Sequence, residues 1–164
     1  MPAGPPCTVG LSDSAAFLTE WEQITRSPRG AVLDFDCRAC SAQTKIGLHA
    51  TPNYGEPPYD IERLYAADAT GRQKLVDELI EPSRGALCSA EEARLVDARM
   101  IDGRKFAGIF STVCGTPRRH RRSYFAGTPR CIQSVEVSWW GEKAPDNATE
   151  AIIERAFGHV VFSR

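Results

Sequence analysis

Asp102-Gly103 stands between two runs of strand character, Arg94 to Ile101 and Arg104 to Cys114. An Asp-Gly pair in that position is what a type I′ turn requires, because both central residues must take positive φ. The pair therefore predicts a long antiparallel hairpin. A second strand pair is expected from Ser123–Ala126, a turn at Gly127-Thr-Pro129, and Cys131–Trp140. In the last run Cys131, Gln133, Val135, Val137 and Trp139 share one face, and Ile132, Ser134, Glu136, Ser138 and Trp140 the other.

Earlier in the chain, Ala31–Phe35 and Thr44–Thr51 read as partner strands. Helical spacing is expected over Ser12–Ile24, where Phe17, Leu18, Trp21 and Ile24 form a stripe capped by Ser12 or Asp13. Tyr59–Glu81 reads as two helices, with stripes Ile61, Leu64, Tyr65 and Leu75, Val76, Leu79, Ile80. Thr70 with Gln73 and Asn147 with Glu150 are capping-box patterns for the second of these and for a last helix. That last helix carries Ile152, Ile153, Ala156 and Phe157, with Gly158 at its end and a short edge strand in His159–Phe162. Residues 1–11 are expected to be an irregular arm, and 52–58, with three prolines, a loop suited to binding.

Because strands cluster instead of alternating with helices, the expected class is α+β. The predicted form is an antiparallel meander of four to six strands with helices on one face, in a single domain of 164 residues. Near-balanced charge, with a net −1, gives no global field for polyanions, so nucleic acid is not an expected partner. No apolar run reaches the roughly 18–20 residues that span a bilayer. The N-terminus lacks the basic and apolar regions of a signal peptide, which points to the cytoplasm. Six cysteines point the other way, to a periplasmic or secreted protein, if they are paired. The alanine- and arginine-rich composition suggests a bacterial source.

Several motifs offer chemistry. Cys37-Arg-Ala-Cys40 has the spacing of a redox pair or half a zinc site. Redox use wants a helix N-terminus, which Ser41–Ile46 does not supply, and zinc wants two further ligands at matched spacing. A buried thiol pair, or disulfides to distant cysteines, is the plainer expectation. Asp34-Phe35-Asp36 resembles the opening of haloacid-dehalogenase sites over three residues only, and Arg38 departs from that pattern. Solvated strand-end carboxylates explain it better. His49, His120 and His159 stand apart from any nucleophile motif, and no phosphate- or dinucleotide-binding loop occurs. No cofactor is expected.

Arg118, Arg119, His120, Arg121 and Arg122 form the densest charge and are expected in a hairpin loop or on an edge strand. With Tyr54 in the proline loop and Trp140, they make the candidate contact surface for a protein partner. The functional expectation is a non-catalytic interaction module, such as a bacterial immunity protein or a secretion or envelope accessory factor. The alternatives are a redox or zinc protein centred on Cys37 and Cys40, and a polyanion binder using the arginines.

Overall fold

A computed structural model describes residues 7–26, 31–53, 60–80 and 93–163. Seven strands form one antiparallel sheet, in the order β2 (Trp21–Arg26), β3 (Val32–Cys37), β4 (Thr44–Pro52), β8 (Cys131–Trp140), β7 (Arg119–Gly127), β6 (Arg104–Val113), β5 (Arg94–Ile101). A two-stranded ribbon pairs β1 (Val9–Leu11) with β9 (Val160–Phe162). The α+β class and the antiparallel sheet stand, while the expected four to six strands become seven plus two. Val9–Leu11 lies within the segment expected to be an irregular arm. Its register with β9 and the Cys7–Cys131 disulfide tie it to the body.

The hairpin at Asp102-Gly103 has the expected geometry, with φ of 49° and 73° at its two central residues. Where β5 bulges between Val96 and Arg99, a side chain fills the gap in the ladder. The Tyr65 hydroxyl donates to the Val96 carbonyl at 2.6 Å and accepts from the Gly108 N–H at 3.0 Å. Burial there raises the Tyr65 pKa above its ordinary value.

One face of the sheet carries the main core. Trp21, Phe35, Ile46, Leu48, Val135 and Val137 are buried on it. α1 (Ser14–Glu20), α4 (Asn147–Phe157) and the ribbon supply the covering layer. Phe17 of α1 packs edge-on to Phe35 at 4.7 Å, Phe157 edge-on to Tyr124 at 5.4 Å, and Phe162 stacks on Phe106 at 5.6 Å. The other two helices, α2 (Ile61–Ala66) and α3 (Ala69–Ile80), lie on the opposite face at the β5–β6 end. There Val76 packs with Ala93 and Ile109, joined by Leu79, Leu95 and Phe125. Helices thus occupy both faces, not the expected one.

The helix expected over Ser12–Ile24 ends at Glu20, and Trp21 opens β2 instead. A helix through Ile24 would have had to bury Leu18 and Ile24, which are 37% and 48% exposed. Pairing Trp21 with Cys37 and Glu22 with Asp36 satisfies the backbone and still buries Trp21 beside Phe17. Two caps also sit one or two residues earlier than the capping boxes suggested. Asp68 accepts from the Gly71 N–H, so Thr70 is inside its helix. Asp146 accepts from the Thr149 N–H at 2.8 Å, so Asn147 is the first helical residue instead of the cap. An aspartate one or two residues ahead of each box serves better, because its carboxylate is also favoured by the helix dipole.

Candidate binding surface

Arg119 to Arg122 form the start of β7, an interior strand between β6 and β8 and not an edge, while Arg118 alone lies in the expected loop. The two-residue strand period then splits the run. Arg122 and His120 lie on the covered face, opposite Val137 and Trp139. Arg122 is closed by Glu150 of α4 at 3.0 Å and lies over the Trp139 ring. Arg119 and Arg121 lie on the other face, opposite Trp140 and Ser138, while Arg118 is exposed in the preceding loop. Tyr54 falls outside the described residues.

Away from the patch held by α3, the second face of β3, β4, β8 and β7 carries mostly polar side chains. Strand registers place its side chains in rows. Asp36, Lys45, Ser138, Arg121 and Ser111 form one row; Asp34, Gly47, Glu136 and Ser123 form the next. Arg121 donates to the Ser111 hydroxyl at 2.6 Å and lies 4.0 Å from Glu136, which also accepts from Ser123 and Ser138 at 3.3 Å. Lys45 lies 3.7 Å from Asp36, and both Lys45 and Arg119 flank the Trp140 ring, at 5.7 and 5.9 Å. Asp34, Asp36, Lys45 and His49 have side chains 38–43% exposed. Ion pairs this wet contribute about 0–1 kcal/mol each, whereas Arg121 is seated more deeply, with its side chain 14% exposed beside Glu136 and between the buried Ser111 and Ser138.

Asp34 lies in the middle of β3 and Asp36 next to its end, both partly solvated. Gly47 is the gap between Asp34 and Glu136. A Cβ there would meet the Asp34 Oδ1 at 2.9 Å and the His49 Nε2 at 3.1 Å, so glycine is what allows these two to lean together over β4. Their closest atoms are 3.8 Å apart, and His49 stands directly across from Ser134. Aspartate, histidine and serine thus share a corner of the face. β4 and β8 are interior strands, so their backbone N–H groups beside Ser134 are committed to ladders and form no oxyanion hole.

Cys37 and Cys40 are disulfide-bonded to each other, with Cα atoms 5.7 Å apart, and not to distant cysteines. Cys37 ends β3 and Cys40 lies in the connection to β4, so neither opens a helix of its own, and the adjacent Ser41 donates to Asp146 at the start of α4 at 2.8 Å. Cys7 is bonded to Cys131, and Cys114 is also in a disulfide. Among the described residues no cysteine is free, and no group of three or more His, Cys, Asp or Glu side chains converges as a metal site. None of the described helices is long and apolar enough to cross a membrane.

No protein-family model matches the chain, and no curated protein matches it. Sequence reasoning missed Glu136 as the partner of Arg121, and did not bring Asp36, Lys45 and His49 onto the same face as these two. Their signal was present as polar alternation in three separate strands. Only the strand order β3-β4-β8-β7 makes one surface of them.

Proposed function

We propose that this chain is a non-catalytic protein-interaction module of an oxidising compartment, which meets its partner through the open face of the sheet around Trp140, Arg121 and Glu136. The observation that carries this reading is the contrast between a covered face that holds the large apolar core and a second face of interleaved acids and bases, partly exposed at Asp34, Asp36, Lys45 and His49. Mixed charge around an aromatic anchor suits a folded protein surface, where complementary pairs set register and orientation. A polyanion would need one sign of charge along a track, and the strand period divides the arginines between two faces. The paired cysteines support a periplasmic or secreted setting, since reduced cytosol keeps thiols apart. An immunity protein or an envelope accessory factor would fit this description.

The test is capture by the immobilised full chain from an extracytoplasmic protein extract of the source organism. Lys45→Glu combined with Arg119→Glu should abolish capture of the partner taken by the wild type, and Lys74→Glu on α3 should not. Equal capture by both variants would contradict the reading.

A further inference from the structure

At the end of the sheet, where β6 passes to β7 and β8 runs out toward α4, the structure contains a cleft of about 380 Å³. That is within the size range of small-molecule sites. Its walls include Arg118, His120 and Glu142, with Gly115 and Gly141 at its sides. It lies at the rim of the molecule, separate from the rows of paired charge on the open face.

Three observations converge on it. First, its cations are uncompensated among the described residues. Arg118 forms no ion pair with a described residue, whereas Arg99, Arg122 and Arg155 are each closed by a glutamate. Second, His120 is held in place as a wall. Its Nδ1 lies 3.0 Å from the Thr112 hydroxyl, and its ring lies between Phe110 at 6.0 Å and Trp139 at 5.8 Å. A ligand oxygen on Nε2 would select the tautomer in which the Thr112 hydroxyl donates to Nδ1 and the proton sits on Nε2. Third, Glu142 is the one carboxylate in the lining, so the cleft offers an acceptor beside its donors.

We infer that this cleft binds a small organic oxyanion ester, a phosphate or sulfate monoester, with the charged group on Arg118 and His120 and a hydroxyl or amine of the same molecule on Glu142. Guanidinium suits this task because its planar fork matches two oxygens of such a group at once. The presence of Glu142 disfavours a bare inorganic anion and selects for a molecule carrying a donor.

The test is a backbone amide NMR titration of the full, oxidised chain with glycerol phosphate, with inorganic sulfate, and with vesicles containing phosphatidic acid. The expected result is saturable shifts with glycerol phosphate, centred on Gly115, Arg118, His120 and Gly141. Arg118→Gln, an exposed substitution, should weaken that binding about tenfold, and Glu142→Gln should weaken glycerol phosphate while strengthening sulfate. Lys74→Gln should change neither. Binding to the vesicles without binding to glycerol phosphate would assign the same chemistry to a lipid headgroup. Shifts that fail to saturate with all three probes, or an unchanged affinity in folded Arg118→Gln, would overturn the inference.

Discussion

The two faces of the sheet are built from the same strands and do different work. On the covered face Ile46, Leu48, Val135 and Val137 are 0% exposed, sealed by α1, α4 and the β1–β9 ribbon. One residue along each strand, the open face carries Lys45, Gly47, His49 and Glu136, partly exposed and held by loose ion pairs. Stability therefore belongs to one side of the sheet and availability to the other. A strand can serve both because its side chains alternate, so neither role constrains the residues of the other.

That comparison can be broken most sharply at neighbouring positions. Phe35→Ala should cost about 3–5 kcal/mol, since Phe35 is 1% exposed and its removal leaves a cavity between Phe17 and the sheet. Asp34→Ala, one residue away on the open face, should stay within about 1 kcal/mol. Urea unfolding of the two variants checks both, and similar losses would mean that the faces are not energetically distinct.

The disulfides sharpen the picture at nearly the same scale. Cys7–Cys131 closes 124 residues of sequence and anchors the ribbon over the core; Cys37–Cys40 closes only three. Loop-closure entropy assigns about 5 kcal/mol to the first and about 2 kcal/mol to the second. Replacing each pair by alanines should lower the thermal midpoint in that order. A smaller effect, about 1–3 kcal/mol, is expected from Tyr65→Phe, which leaves the Val96 carbonyl and the Gly108 N–H without their shared hydroxyl.

The smallest effect concerns pH. The Thr149 N–H, then the Thr149 and Ser41 hydroxyls, hold the Asp146 carboxyl below its usual value, and the Arg155 guanidinium does the same for Glu20. Both carboxylates favour the folded state, in which their pKa values are depressed. Their contribution is complete above the ordinary carboxylate range, near pH 4 to 4.5, and is lost as pH falls through the lowered values. Melting curves from pH 6 to pH 2 should show a late acid loss that Asp146→Asn removes in part.

How much of this could be read from residues alone follows from the range of the interactions. The Asp102-Gly103 turn, the alternation of Cys131–Trp140 and the stripe of α4 are local patterns, and each took the expected form. Trp21 misled because a residue buried at helical spacing from Phe17 is also buried as the first residue of a strand. The choice between the two is made by β3, a tertiary partner. The arginine run misled for a related reason. Five consecutive residues look like one patch until a strand sends them to opposite faces, and only the neighbours β6 and β8 show that β7 is a strand throughout. The open face itself needed the strand order, since Asp34, Lys45, Arg121 and Glu136 are far apart in sequence.

The most direct test of the two-faced account is carbodiimide labelling of carboxylates in the isolated, oxidised chain, with sites read by mass spectrometry. Asp34 and Asp36 should react at rates close to that of exposed Asp13 while the protein remains folded. Strong protection of both in the free chain would mean that this face is covered, and the proposed contact surface would have to be abandoned.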